Sequence, residues 1–151
     1  TIKIREEDIR VAKIADCRKT MEYTPAESTP GEPLFELHAR RTCRELGSDI
    51  DMTLYFTNTT RTTVGVMLVL NTPPGVSLRS LTTGGQGGSQ ITRQFDSVTP
   101  GAPVSLGGKF IAHQIGTFPF VGRAKWWPHD QPKDTRDKLD ERIDVRVIDT
   151  R

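Results

Sequence analysis

From Ile50 to Phe56 the chain alternates without a break: Ile50, Met52, Leu54 and Phe56 are apolar, while Asp51, Thr53 and Tyr55 are polar or amphipathic. Successive side chains of an extended chain point to opposite faces, so a period of two describes a strand with one face in a core and the other toward water. A helix would need apolar positions every three to four residues. A lone strand cannot bury its apolar face, so the rest of the chain must supply partners.

It does so in short runs separated by breakers. Leu34 to Cys43 reads as one strand, with Phe35, Leu37 and Ala39 on one side. Thr57 to Thr62 is a polar turn, and Val64 to Asn71, apolar on both faces, is an interior strand. Thr72-Pro73-Pro74-Gly75 breaks the chain before Val76 to Leu81, and the glycine-rich stretch Thr82 to Ser89 is a loop. Ile91 to Phe95 is a short strand, followed by the turn Val98-Thr99-Pro100-Gly101. Val104 to Leu106 and Phe110 to Ala112 flank Gly107-Gly108, which the pattern marks as a bulge or kink. Pro119 places the start of Phe118 to Trp127 on a sheet edge, because proline donates no ladder hydrogen bond. A charged connection, Pro128 to Glu141, precedes a last alternating strand, Arg142 to Ile148. About eight or nine strands at this spacing, with no helix between them, predict an all-β, immunoglobulin-like antiparallel β-sandwich. The expected organisation is one domain over residues 1–151, with an N-terminal arm and loop at 1–33 and the sandwich at 34–151.

The arm supports two readings. Acids at Glu6, Glu7 and Asp8 precede bases at Arg10, Lys13, Arg18 and Lys19, which suits a helix dipole. Ile9 and Val11 also alternate as in a strand, and the β character of the rest favours the strand, one that Thr1 to Ile14 would donate to a neighbour. If the segments on either side of Pro30 pair antiparallel about it, Cys17 and Cys43 face each other within reach of a disulfide; otherwise they are two separate, partly buried thiols.

Charge excludes more than it selects. The net charge is +2, from 21 basic and 19 acidic residues interspersed along the chain, so nucleic acid is not an expected partner. No apolar run is long enough to span a bilayer. The chain begins at Thr1 with no visible signal peptide, as expected of a protein with its leader removed or of a piece of a longer one. No catalytic, cofactor or metal site is predicted. His38, His113 and His129 fall in different elements without ligand spacing. Gly84-Gly85-Gln86-Gly87-Gly88-Ser89 lacks the lysine and helix of a phosphate loop. The acids around Asp49, Asp51 and Asp134 to Glu141 lack calcium-loop spacing.

Contacts are expected elsewhere. Adjacent strand residues face opposite ways, so only one of Trp126 and Trp127 enters a core, and the other is available to a protein or a sugar. His129 and the loop residues Gly85 and Gln86 extend that candidate interface. Asn58-Thr59-Thr60 is a glycosylation sequon on a turn, making Asn58 a candidate acceptor.

Three places resemble one kind of domain. They are Phe56-Thr57-Asn58-Thr59-Thr60 followed by a strand and Pro73-Pro74-Gly75-Val76; Val98-Thr99-Pro100-Gly101 with Val104 and Phe110-Ile111-Ala112; and Gly116-Thr117-Phe118 before an aromatic strand, a charged loop and a final alternating strand. The order is similar to the CARDB-like and DUF11-like immunoglobulin-like domains of archaeal and bacterial surface proteins, over roughly residues 50–148. The resemblance implies a non-enzymatic structural or binding module of an extracellular or cell-surface adhesion, filament or shell assembly. Its partners would be proteins or further copies of itself, meeting at strand edges and loops. The alternative is a carbohydrate-binding module presenting an exposed tryptophan, as an accessory domain of a larger protein would.

Overall fold

The computed structural model describes Ile9, residues 12–15, Cys17, and residues 33–81, 90–130 and 137–149. These include nine strands: β1 (Leu34–Ala39), β2 (Cys43–Glu45), β3 (Asp49–Thr57), β4 (Val64–Asn71), β5 (Val76–Leu81), β6 (Gln90–Val98), β7 (Pro103–Ala112), β8 (Gly116–Pro128) and β9 (Asp137–Ile148). They form a four-stranded sheet, ordered β1-β3-β7-β5, and a five-stranded sheet, ordered β2-β9-β8-β4-β6. Every neighbouring pair is antiparallel except β2 and β9, which run parallel over three residues.

The alternation of β3 is realised as read. Ile50, Met52, Leu54 and Phe56 are buried, while Asp51, Thr53 and Tyr55 line the outer face. From the other sheet Val64, Val66, Leu68 and Leu70 of β4, Phe118 and Phe120 of β8, and Val145 and Val147 of β9 meet them in one core. Phe110 of β7 and Phe120 of β8 join the sheets edge to face, their ring centroids 5.3 Å apart. Gly122 lets the sheets approach: a Cβ there would lie 2.6 Å from Leu54 Cδ1.

Three expectations are corrected. The single strand read over Leu34 to Cys43 is two, because the chain leaves the four-stranded sheet after Ala39 and enters the other at Cys43. The Arg40-Arg41-Thr42 corner makes this switch, and two adjacent arginines are poor occupants of a half-buried strand. The Gly107-Gly108 pair makes no bulge. β7 keeps its register with β3 throughout, and Gly108 instead leaves room for Leu78, whose Cδ1 would lie 3.1 Å from an added Cβ. Irregular pairing occurs at Leu78/Ser80 of β5 and near Val64/Val66 of β4. The strand favoured for the arm gives way to helix where the arm is described, at Ile9, residues 12–15 and Cys17. The acid-then-base order supports that helix; residues 1–8 lie outside the described residues.

Pro119 is accommodated in an interior strand because β8 outruns its neighbour. β4 pairs with β8 from Val121 to Pro128, so residues 116–120 pair with β9 alone. The predicted charged connection also begins β9, which starts at Asp137.

Candidate functional site

The tryptophans occupy opposite faces of β8, and neither stands exposed. Trp126 faces inward, partly buried against the core, and its Nε1 has no hydrogen-bond partner among the described residues. Trp127 lies on the outer face but is only 6% exposed, because its indole covers Gly65 of β4, its cross-strand partner. A Cβ on Gly65 would fall 2.3 Å from Trp127 Cε2. The expected exposed tryptophan is therefore corrected: a glycine opposite gives the second indole a bed on the sheet.

Asn58 is corrected as a glycosylation acceptor. It is 0% exposed, and its amide nitrogen, the atom a glycan would occupy, donates to Thr62 O and to Val98 O, both at 2.8 Å. Its Oδ1 accepts from the amide and the hydroxyl of Thr60. Its backbone donates to Ala102 O and accepts from the amide of Gly101, a turn residue at φ 83°. Asn58 is a knot tying two turns, made by the same Asn-x-Thr spacing that reads as a sequon.

His129 is exposed, its amide bonded to Thr63 O and its Nδ1 2.9 Å from Asp96 O. Gly85 and Gln86 lie outside the described residues. Cys17 and Cys43 form a disulfide with Cα atoms 6.0 Å apart. Cys43 sits in β2, beside β9, while β1 ladders with β3; the segment about Pro30, whose pairing was expected to bring the cysteines together, lies outside the described residues. His38 pairs with Glu36 at 2.8 Å and His113 with Ser77 at 2.7 Å, far apart in the fold. Among the described residues no group of three or more His, Cys, Asp or Glu side chains is placed to hold a metal ion. No helix in the described residues is long and apolar enough to cross a membrane.

The residues brought together are others. On the outer face of the four-stranded sheet, Tyr55 stands 43% exposed, its ring edge-to-face with His38 of β1 at 5.2 Å. Both line an open concavity of about 460 Å³, along with Arg40, Asp51, Thr53 and Lys109. At its end the β1–β2 corner folds over β3, and Arg40, Arg41, Arg44, Asp49 and Asp51 line a smaller pocket of about 140 Å³. Arg79, where β5 slips register, reaches Asp49 Oδ1 at 2.6 Å, and Arg40 lies 3.9 Å from Asp51. Arg44 Nε donates to Asp49 O at 2.7 Å. Burial first, then the nearby Arg41, push the Arg44 guanidinium below its ordinary pKa, though it remains charged. The outward set of β3 was legible in the sequence, but the corner that gathers the arginines was hidden by reading Leu34 to Cys43 as one strand.

One further carboxyl is unusual. Glu141 of β9 faces inward opposite Gly122, and burial, with Glu36 as a lesser cause, raises its pKa.

Nine strands in two facing sheets around a single core define an immunoglobulin-like β-sandwich. No family model and no curated protein matches the sequence. Solved structures share the fold. A non-cellulosomal cohesin from the archaeon Archaeoglobus fulgidus superposes with a TM-score of 0.51 at 13% identity, over 76% of this chain and 91% of that one. The major pilin of Corynebacterium diphtheriae gives 0.53 at 8% identity, over 80% of this chain and 40% of that one. The native conformation of Escherichia coli alpha-2-macroglobulin gives 0.52 at 17% identity over 78% of this chain, which spans about 7% of that protein's length. At these identities the likeness establishes the fold.

Proposed function

We propose that the chain is a non-catalytic binding or assembly module that meets a protein partner through the outer face of its four-stranded sheet. The setting is the extracellular surface, filament or shell assembly implied by the CARDB-like and DUF11-like resemblance. One observation carries the reading: Tyr55 stands exposed in a concavity flanked by His38, Arg40, Thr53 and Lys109. A rigid aromatic ring amid polar and basic groups is the usual composition of a protein contact. The cohesin and pilin neighbours are binding and structural proteins, which supports a non-enzymatic role. Among strand edges, the long β6 edge is the poorer surface. Arg93 points inward there, its guanidinium 4.5 Å from the Phe95 ring centroid and donating to Ser105 O of the opposite sheet, and an inward charge discourages strand addition.

Selection of a random-peptide library on the wild-type protein, compared with Tyr55→Lys, tests the reading. Peptides that enrich on wild type and not on Tyr55→Lys support it; enrichment indifferent to Tyr55 moves the contact elsewhere. Carbohydrate binding is the second reading. It transfers from the tryptophans, neither of them exposed, to Tyr55, whose ring has Thr53, Asp51 and Lys109 beside it for sugar hydroxyls. A glycan array on which wild type binds nothing removes it.

A further inference from the structure

The β1–β2 corner carries more positive charge than its neighbours use. Asp49 is neutralised by Arg79, and Asp51 has Arg40 beside it and Lys109 as its cross-strand partner. Arg41 has no ion pair among the described residues. Arg44 spends its Nε on the Asp49 carbonyl, which fixes the guanidinium plane and leaves its terminal nitrogens without a partner among the described residues. Two like charges are thus gathered at a pocket, one already oriented and partly desolvated. Holding them there costs free energy that an anion would return, and a planar guanidinium fork matches a carboxylate.

We propose that Arg41 and Arg44, with Arg40 at the rim, form a binding pocket for one carboxylate group, supplied by an acidic side chain of the protein partner. The volume of about 140 Å³ admits a single such group. Asp49 and Asp51 in the lining favour a monoanion, because a second negative charge would be repelled by their carboxylates. The pocket opens at one end of the Tyr55 concavity, with Arg40 and Asp51 common to both, so an extended acidic segment would lay its carboxylate in the corner and its neighbours along the sheet. The identity of the partner rests on the reading of this face as a protein contact; the pocket itself does not.

Amide NMR of the full chain, titrated separately with acetate, inorganic phosphate and chloride at matched ionic strength, tests the pocket. Acetate is expected to shift the amides of residues 40–44 and 49–51 to saturation, with chloride giving no saturable change. Arg41→Ala, which removes no side-chain hydrogen bond or ion pair among the described residues, is expected to weaken acetate at least tenfold, and Arg44→Lys to weaken it while keeping the charge. Equal responses to acetate and chloride, phosphate binding tighter than acetate, or Arg41→Ala binding like wild type would each overturn the carboxylate pocket. A second titration uses capped hexaglutamate and hexaglutamine. Hexaglutamate shifting the same amides at a tenth or less of the acetate concentration supports the acidic partner. Acetate saturating while hexaglutamate binds no better than hexaglutamine would leave the pocket standing and overturn the partner.

Discussion

Replacing Asn58 by alanine tests how much of the sandwich hangs on one buried amide. The substitution removes two hydrogen bonds donated to Thr62 O and Val98 O and two accepted from Thr60, all made by a side chain that is 0% exposed. A hydrogen bond contributes about 0.5–1.5 kcal/mol net, and a buried group left unpaired costs about 1–3 kcal/mol. The Thr60 bonds lie nearer solvent and are replaced by water at small cost, whereas the Val98 carbonyl is buried and orphaned. The expected loss is about 2–4 kcal/mol, or roughly 5–12 °C in Tm for a chain of this length. Asn58→Asp should lose more, since a carboxylate oxygen would then face two carbonyl oxygens. Urea unfolding followed by tryptophan fluorescence measures both. A loss below about 1 kcal/mol for Asn58→Ala, or Asn58→Asp folding as stably as wild type, refutes the knot. So does an intact-mass increase showing a glycan on Asn58 after expression in a glycosylating secretory host, because a glycosylated amide nitrogen keeps one hydrogen and cannot make both inward bonds.

Three further outcomes follow from contacts already described. Gly65→Ala should displace the Trp127 indole, costing about 1–3 kcal/mol as overpacking does, with a red-shifted emission; unchanged fluorescence would show that the ring does not lie on Gly65. Removing the Cys17–Cys43 bridge, whose partners are 26 residues apart, should cost about 3–4 kcal/mol by loop-closure entropy, seen as a lower urea midpoint for Cys43→Ala, and equal midpoints would refute it. Glu141 has a raised folded-state pKa, so folding takes up a proton there: stability is gained as pH falls through that pKa and is absent at neutral pH. Glu141→Gln should therefore raise the urea midpoint at neutral pH and flatten its rise in mild acid, and a midpoint lowered at neutral pH would reverse the assignment.

The strands were legible wherever an alternating run was bounded by proline, glycine or a polar cluster, as β3 and β4 are. Legibility failed where tertiary geometry reused an ordinary local signal. Leu34 to Cys43 alternates well enough for one strand, and nothing local announces that Arg40 to Thr42 changes sheets. Gly107-Gly108 carries the same residues a bulge would, yet one of those glycines makes space for Leu78. The tryptophan pair was placed on opposite faces correctly, but the exposure of Trp127 depended on what stood across from it. That partner, Gly65, is separated from it by 62 positions and by three intervening strands, β5 to β7. The site suffered most, because Tyr55 was visibly outward while the arginines beside it come from a corner that the alternation concealed. Asn58 shows the converse: the spacing was seen, and one of its two physical meanings was chosen over the other.

The Gly65–Trp127 contact also constrains how this sandwich can change over generations. An indole lying on a bare backbone makes two distant positions a single unit of inheritance. No residue larger than glycine fits at 65 without displacing the indole of 127, and a smaller residue at 127 would leave 65 under no such restriction. Substitutions at 65 should therefore appear only in descendants of this chain that have also lost the tryptophan. A lineage that lost the tryptophan first would be free to fill the glycine, and would then find the way back closed.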